Sequence, residues 1–360
     1  MRALSPSLHL CLLLTLSACR GLERFDTPIP PDDPWRRETP DAETLARFEA
    51  ARDYSQTHNG LALVVLQEDA VLFEDFYNGH SASTPWPLWS GTKTFSCAAA
   101  MLAVDEGLMT LDEPVAETFP EEFGEGDRAE VTLRQLLQFT SGLKEDWWML
   151  SRDGWAANPR LDDKYDYAIH QPLAHPPGEV FEYGSVHLTA FGAVLEAKLG
   201  GSPLDWMEAN IFEPIGFRTS GWHIDPSGNP MMPYGAWTTA GEWTKFAALL
   251  RDDGVFLGER VLPEGTLAAC AQGSTPNPAY GLALWLNQEV PDDLDLSELA
   301  HVEPGGPIIW KDGPADLVMA AGARGQRAYI VPSQDLVVIH VADDGGDFVD
   351  AELLALLLGG

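Results

Sequence analysis

Ser90 and Lys93 stand three residues apart in the stretch PLWSGTKTFSCAAAMLAVDEGL, which begins at Pro87. Residues three apart on a helix share a face, so the hydroxyl and the amine lie within hydrogen-bond reach across one turn. A serine hydroxyl is a weak nucleophile at neutral pH, and a lysine serves as its base when burial lowers the lysine pKa. The apolar residues from Phe95 to Leu102 predict such a buried setting. The pair therefore predicts nucleophilic catalysis, with Ser90 as nucleophile and Lys93 as base.

The Ser-x-x-Lys pattern also occurs a second time, at Ser141 and Lys144. There it falls where a helix is predicted to end, with Gly142 inside it, so it lacks the apolar helical face that would bury the amine. Short motifs recur by chance. On this pattern alone, a structural role for Ser90 and Lys93 stays open.

Two predicted hairpins lie near opposite ends of the chain. Residues 60–79 form two apolar and β-branched runs joined by a polar turn at 67–69. Near the C-terminus, QRAYIVPSQDLVVIHVAD has its turn at 332–335, and a last helix is predicted over 348–358. Most of the chain between the hairpins is predicted to be helix or loop.

Two helices in this middle part have clear boundaries. Thr132 and Gln135 form a capping box that opens a short helix, and GSVHLTAFGAVLEAKLG predicts a second helix closed by Gly200. We predict an α+β fold. One antiparallel sheet is built from the N- and C-terminal strands and flanked by helices, with a helical subdomain inserted over roughly 105–240.

The N-terminal residues predict an exported protein. The short apolar run within residues 1–18 has the character of a signal peptide, and its ending Leu-Ser-Ala before Cys19 is typical of a lipidated cysteine. An ordinary signal peptide that contains a cysteine is the alternative. The proline-rich and charged segment 19–40 is predicted to be a tether, and 41–360 a single folded domain. The predicted location is the cell envelope, with the protein held at the membrane through its N-terminal lipid on the periplasmic or extracellular face.

Beyond Cys11 and Cys19, only Cys97 and Cys270 are left for the fold. Cys97 lies among alanines on the helix after Ser90, where the role of a small buried hydrophobic residue is expected. A disulfide framework is therefore not predicted, and whether Cys97 and Cys270 pair is left open.

The chain carries 55 acidic and 22 basic residues, for a formal net charge of −33. A surface of this charge disfavours nucleic acid and anionic membrane surfaces as partners. The histidines are scattered and no His-Glu-x-x-His pair occurs, so neither a catalytic metal nor another cofactor is predicted. No Gly-x-Ser-x-Gly sequence is present, which argues against an α/β-hydrolase.

Five blocks of the sequence follow one another in a familiar order: LWSGTKTFSCAAAMLAVDEGLMTLDEPV, TLRQLLQFTSGL, PPGEVFEYGSVHLTAFGAVLEAKLG, IFEPIGF and GARGQRAYIVPSQDLVVIH. In order and spacing they resemble the serine β-lactamase-like family. Class C β-lactamases, related esterases, D-alanyl-D-alanine peptidases and 6-aminohexanoate-oligomer hydrolases show the strongest likeness. The resemblance runs from about Gly60 to the C-terminus and implies a serine β-lactamase/transpeptidase-like fold with acyl-enzyme chemistry.

The resemblance implies roles for individual residues. Ser90 corresponds to the acylated nucleophile, Lys93 to its neighbouring base, and Tyr183 to the tyrosine of the family's Tyr-x-Asn motif, which shuttles a proton to the leaving group. The backbone amides of Ser90 and Ala323 correspond to an oxyanion hole. A core aromatic is the alternative role for Tyr183, but it alone follows PPGEVFE and opens a helix.

This sequence departs from the family pattern at two places. Ser185 replaces the asparagine of Tyr-x-Asn, and His187, on the same predicted helix, either supplies a polar substrate contact instead or is a hydrogen-bonded core histidine. The family's third motif, Lys-Thr-Gly or a histidine equivalent, is replaced by a stretch ending in Gly322, whose backbone still permits close approach of a substrate. Arg324 is the remaining cation nearby and is a tentative substrate contact.

These observations favour a serine hydrolase acting on a small-molecule ester or amide through a Ser-Lys-Tyr mechanism. The first alternative is a β-lactam or D-alanyl-D-alanine peptide hydrolase in which Arg324 replaces the lost cation. The second is a non-catalytic cell-envelope binding module on the same fold. Several tryptophans are expected to pack in the helical subdomain, with the lining of an acyl pocket as the alternative: Trp147, Trp148, Trp155, Trp222, Trp237, Trp243 and Trp285.

Overall fold

The computed structural model describes residues 24–146, 159–290 and 308–359. The β-strands of this part are β1 Arg36–Arg37, β2 Gly60–Gln67, β3 Ala70–Phe76, β4 Trp86–Pro87, β5 Gly221–Trp222, β6 Ala236–Thr238, β7 Val255–Phe256, β8 Glu259–Arg260, β9 Trp285–Leu286, β10 Val318–Gly322, β11 Gln326–Val331 and β12 Leu336–Ala342. The α-helices are α1 Ala42–Thr57, α2 Phe95–Asp105, α3 Pro120–Phe123, α4 Leu133–Leu137, α5 Lys164–Ile169, α6 Val186–Leu199, α7 Pro203–Met207, α8 Ala240–Arg251, α9 Thr266–Cys270 and α10 Asp350–Leu358. A 3₁₀ turn spans Trp89–Thr94 and leads directly into α2.

A seven-stranded sheet in the described part of the chain joins the two ends of the sequence. Its strand order is β1-β3-β2-β12-β11-β10-β9. The central pairing is antiparallel, between N-terminal β2 and C-terminal β12, and the short β1 pairs in parallel with β3. The strands β2 and β12 are buried along nearly their whole length. Their sequences are therefore mainly apolar and do not alternate between apolar and polar residues. This arrangement confirms the predicted α+β fold with a sheet built from both ends.

The two predicted hairpins are present. Glu68 and Asp69 connect β2 to β3. Both have positive φ, 48° and 57°, which allows a two-residue turn to match the twist of its two strands. A 3₁₀ turn and Asp335, with φ 47°, connect β11 to β12. The last helix begins at Asp350 rather than at the predicted 348.

The middle of the chain holds the predicted helices. Thr132 and Gln135 form the capping box of α4 with both reciprocal hydrogen bonds present, and Gly200 ends α6 with φ 66°, a conformation that costs glycine little. The predicted subdomain over 105–240 also contains β5 and β6, which form a three-stranded sheet with β4. These strands are two or three residues long, too short to leave an alternating pattern in the sequence.

A few apolar side chains of the predicted tether lie against the folded body in its described part, residues 24–40, while most residues of that part are exposed. Ile29 and Trp35 are buried, the Trp35 ring contacts Phe256 at a centroid distance of 5.5 Å, and the Phe25 ring contacts His223 at 5.2 Å. The high proline and charge content suggested an extended solvated segment. Its few apolar side chains nevertheless find apolar partners on the body, and proline does not prevent this.

Cys97 and Cys270 form a disulfide that the sequence analysis left open, with their Cα atoms 6.0 Å apart. The expectation that Cys97 is only a small hydrophobic residue is therefore corrected. The bond joins α2, which follows the Ser90 turn, to α9, across 173 residues of sequence. The residues around each cysteine do not indicate a disulfide between positions so far apart in the sequence.

Some predictions fall outside the described residues. These include the signal peptide, the lipidation site at Cys19, and Trp147, Trp148 and Trp155. Across the ranges that the structure describes, no helix combines the length and apolar character needed to span a bilayer.

Candidate active site

Ser90 and Lys93 lie together on the 3₁₀ turn Trp89–Thr94, which we call the nucleophile turn. In a 3₁₀ helix the side chains at i and i+3 eclipse one another, and Lys93 Nζ donates to Ser90 Oγ at 3.0 Å. Lys93 is 3% exposed, and its Nζ also donates to the carbonyl oxygen of Pro233 at 3.0 Å. The amine is thus buried and fixed against the hydroxyl, which is the arrangement the spacing predicts.

The nucleophile turn begins with backbone strain. Trp89 has φ 50°, in the left-handed region that costs a bulky L-residue about 1 kcal/mol or more. Two neighbours hold the turn in place: the ring of Trp243 leaves no room for a side chain at Gly91, and Thr92 Oγ1 accepts the backbone amide of Ala236 at 3.2 Å. Strained residues persist where the surrounding structure over-determines them, often at functional sites.

The end of β10 lies against the nucleophile turn. A Cβ built on Gly322 would be 2.0 Å from the carbonyl oxygen of Leu88 and 3.0 Å from the amide nitrogen of Gly91. Only glycine permits this approach of two backbones. Ala323 follows Gly322 directly, and the short helical turn that it begins packs against the nucleophile turn that carries Ser90.

Tyr183 lies just before α6 in a cluster of aromatic rings. Its ring stacks on Trp285 at a centroid distance of 5.6 Å, packs edge-on against Tyr280 at 6.0 Å and contacts Phe139 at 5.4 Å. Lys93 Nζ lies 5.2 Å from the centroid of the Tyr183 ring. The structure thus brings Ser90, Lys93 and Tyr183 into one site, and Trp285 packs directly against Tyr183.

The carboxylate of Glu145 lies beside this site. Its Oε2 accepts the backbone amides of Ser185 at 2.9 Å and Val186 at 3.0 Å. Burial raises the pKa of Glu145 to about 7, although these two hydrogen bonds and the positive charge of Lys93 act in the opposite direction. A carboxyl group with this pKa titrates in the neutral range.

His187 is occupied inside the protein. It is fully buried, its Nδ1 hydrogen-bonds with Ser141 Oγ at 2.8 Å and its Nε2 with the carbonyl oxygen of Glu182 at 3.0 Å, and its ring stacks on Phe139 at 5.1 Å. Burial lowers its pKa to about 4, so the ring is neutral at pH 7. Of its two interpretations, the geometry favours the hydrogen-bonded core histidine over the substrate contact.

The other two tentative contacts lie on either side of the site. Ser185 is buried and its amide is held by Glu145. Arg324 has φ 64°, its guanidinium lies 5.9 Å from the Trp89 ring centroid, and its Nη1 is 3.7 Å from the carboxylate of Asp343. The charge of Arg324 is therefore shared with an acidic neighbour of its own chain.

The second Ser-x-x-Lys match does not form a comparable pair. Ser141 is buried against His187, whereas Lys144 is exposed to solvent. Within the ranges that the structure describes, His, Cys, Asp and Glu side chains form no group of three or more that would hold a metal ion.

Sequence reasoning missed several residues of the site. No short motif marks Glu145 or the carbonyl of Pro233, because their roles depend on which groups the fold brings beside them. Trp285 was assigned to general packing, and only its position on β9 shows that it packs against Tyr183.

Comparison with known proteins gives a family match and two kinds of relatives. A family model described as Beta-lactamase matches residues 45–358. The chain is 30% identical over 119 residues to Protein flp of Staphylococcus aureus strain NCTC 8325, covering 32% of this chain and 24% of that protein. It is 28% identical over 157 residues to the lovastatin esterase of Penicillium rubens, covering 37% of this chain and 38% of that enzyme. The chain therefore spans only about a quarter to two fifths of these curated relatives.

The fold has solved counterparts. A protein of Bacillus anthracis that is assigned as a 6-aminohexanoate-dimer hydrolase superposes with a TM-score of 0.69 at 16% identity. The superposition covers 93% of this chain and 88% of that one. At this identity the likeness supports the fold.

Proposed function

The chain belongs to the Beta-lactamase family, a family of hydrolases with esterase and amidase relatives, and from this premise we propose that it is a serine hydrolase that forms an acyl-enzyme on Ser90. The observation that carries the proposal is the buried Lys93 amine, 3.0 Å from Ser90 Oγ. A buried amine beside a hydroxyl is the base that a serine nucleophile needs.

The proposed reaction uses the side chains and backbone amides of this site. Ser90 Oγ attacks the substrate carbonyl, and its proton passes to Lys93 Nζ, which acts in its neutral amine form in this step. The amides of Ser90 and Ala323 receive the developing oxyanion. Tyr183, beside Lys93, relays the proton to the leaving alcohol or amine, and water then hydrolyses the acyl group on Ser90.

The proposed substrate is a small-molecule ester or amide without an obligatory carboxylate. The third motif lacks a lysine or histidine, and Arg324 is engaged by Asp343 and Trp89. The rings of Trp285 and Phe139 that contact Tyr183 are buried and apolar. The lovastatin esterase match fits an ester substrate.

The test is the fate of Ser90 when the protein meets an activated ester. We expect p-nitrophenyl butyrate to be hydrolysed, and we expect intact mass spectrometry to detect an acyl or fluorophosphonate adduct on the wild type. The Ser90→Ala variant should show neither. Equal labelling of wild type and Ser90→Ala would disprove the proposal, and an adduct with penicillin as readily as with esters would favour the β-lactam alternative.

We also propose that the protein is exported and anchored by lipid at Cys19. The Cys97–Cys270 disulfide supports export, since such bonds persist in oxidising compartments. Labelled palmitate supplied to expressing cells should enter the wild-type chain and not the Cys19→Ser variant. Wild-type protein that is released free of lipid would contradict the anchor.

A further inference from the structure

Glu145 holds the backbone immediately after Tyr183. Its Oε2 accepts the amides of Ser185 and Val186, which lie at the start of α6. The first amides of a helix have no acceptor within the helix, and the helix dipole favours a negative charge at that end. One carboxylate therefore fixes both the beginning of α6 and the end of the segment that carries Tyr183.

Gly184 makes room for that carboxylate. A Cβ built on Gly184 would lie 1.9 Å from Oε2 and 2.1 Å from Cδ of Glu145. Both distances are far below a van der Waals contact, so any side chain at position 184 would displace the carboxyl group. Gly184 and Glu145 thus form a matched pair directly beside Tyr183.

Charged and titratable groups face Glu145 from several elements. Lys93 on the nucleophile turn and Glu182 beside Tyr183 both act on its charge. Tyr167 on α5 is also within electrostatic reach and donates its hydroxyl to Asp146. The second carboxylate oxygen of Glu145, Oε1, is shut off from solvent and accepts no hydrogen bond from the residues that the structure describes. Of the groups that act on Glu145, Lys93 carries the opposite charge.

We propose that Glu145 is a positioning residue for the acyl-transfer reaction, whose ionised carboxylate holds the Tyr183 segment in register with the nucleophile turn that carries Lys93. The inference rests on the proposed function and adds a residue to its site. A proton relay needs its tyrosine within a fraction of an ångström of the working position, and a misplacement of about 1 Å costs on the order of a hundredfold in rate.

The ionisation of this carboxylate gives the proposal a signature in pH. With a pKa of about 7, Glu145 is ionised above neutrality and protonated below it. Protonation neutralises the carboxylate, and a neutral carboxyl group accepts hydrogen bonds from the two amides less strongly than an ionised one. A plot of kcat against pH should therefore rise in a step through about pH 7. This step should be absent from a variant whose residue 145 cannot ionise.

The experiment compares four variants of the full chain with p-nitrophenyl butyrate as substrate. Glu145→Gln keeps an oxygen for the amides and removes the charge, and Gly184→Ala keeps the charge and displaces the carboxylate. We expect each to lower kcat about tenfold to a hundredfold with KM within about twofold, and Glu145→Gln to lose the step near pH 7. Glu145→Asp, which keeps the charge on a shorter side chain, should recover part of the rate and keep a pH step.

Asp41→Asn is the fourth variant and the matched control. The Asp41 carboxylate also accepts two backbone amides at a helix start, those of Glu43 and Thr44 on α1, but α1 packs against β2 and α10 rather than beside Tyr183. We expect its kcat and pH profile to equal those of the wild type.

The outcomes separate the positioning role of Glu145 from the proposed function. If the wild type is labelled on Ser90 by a fluorophosphonate and Glu145→Gln retains both the wild-type kcat and the step near pH 7, the positioning role is disproved while the proposed function stands. If Gly184→Ala also retains wild-type kcat, the same conclusion follows from the second variant. If the wild type neither hydrolyses esters nor is labelled, the proposed function fails, and the inference fails with it.

Discussion

Glu145 links the charge of one side chain to the stability of the fold. Burial raises its pKa from the ordinary 4.5 to about 7, so the folded chain binds this proton more tightly than the unfolded chain does. The contribution to stability is fully present below about pH 4.5 and is lost as the pH rises through about 7. A group needed in its ionised form for activity thus lowers stability at the pH where it acts, which is common at functional sites.

The residue-scale prediction is that Glu145→Gln flattens the pH dependence of stability. Glutamine stays neutral at all pH values, so the variant should gain stability relative to the wild type between about pH 5 and pH 8. Urea unfolding at both pH values measures the two free energies of unfolding. An equal difference in the free energy of unfolding between variant and wild type at the two pH values would contradict the raised pKa of Glu145.

At the scale of elements, the site depends on where β10 meets the nucleophile turn. Gly322 ends β10 with its Cα against the carbonyl of Leu88, and this contact joins the central sheet to the turn before α2. Because this contact is between backbone atoms of both elements, β10 and the nucleophile turn have little freedom to adjust. The sheet thereby holds Gly322, and Ala323 after it, against the nucleophile turn.

Gly322→Ala tests this contact. Because its Cβ would lie 2.0 Å from a backbone oxygen, we expect a loss of about 1–3 kcal/mol in the free energy of unfolding, together with loss of ester hydrolysis. Gly241→Ala on α8 is the control, since nothing lies within 4 Å of the position that an added Cβ would take there. That change should stabilise the helix by about 0.5–1 kcal/mol and leave activity intact. Equal behaviour of the two variants would mean that β10 does not constrain the turn.

At the scale of the whole molecule, the disulfide closes a long loop. Cys97 and Cys270 are 173 residues apart, and the chain-entropy account assigns a loop of this length about 5 kcal/mol at the upper end. We expect the Cys97→Ala/Cys270→Ala double variant to unfold at a lower temperature than the oxidised wild type. Addition of reductant should lower the Tm of the wild type and leave that of the double variant unchanged. If the wild-type Tm does not change when the disulfide is fully reduced, the disulfide does not stabilise the fold in this way.

The packed N-terminal segment gives a second prediction at this scale. Ile29 and Trp35 are buried on the body, and burying one large apolar side chain contributes about 1.5–3 kcal/mol. A chain that starts at Asp41 should therefore unfold at a lower urea concentration than one that starts at Arg24. Trp35→Ala in the longer chain should reproduce part of that loss. Identical midpoints for the two chains would show that the segment adds nothing to stability.

Features with local causes could be predicted from the sequence. The 3₁₀ or helical spacing of Ser90 and Lys93, the capping box at Thr132, the glycine that ends α6 and the two hairpin turns all depend on residues within a few positions of one another. The antiparallel sheet from both ends was predicted from the two hairpins, because an isolated two-stranded hairpin is marginally stable and has unpaired edges that a further strand can satisfy.

The contacts between distant segments could not be predicted from the sequence. Glu145 reaches the amides after Tyr183, Trp285 stacks on that tyrosine, Cys97 meets Cys270 and Trp35 reaches Phe256. The sequence left His187 as either a substrate contact or a core histidine, and in the fold its two ring nitrogens hydrogen-bond with Ser141 and Glu182. The physical reason is the same in each case: burial and partner identity are properties of the packed chain, and they set which polar groups are held inside and which face a substrate.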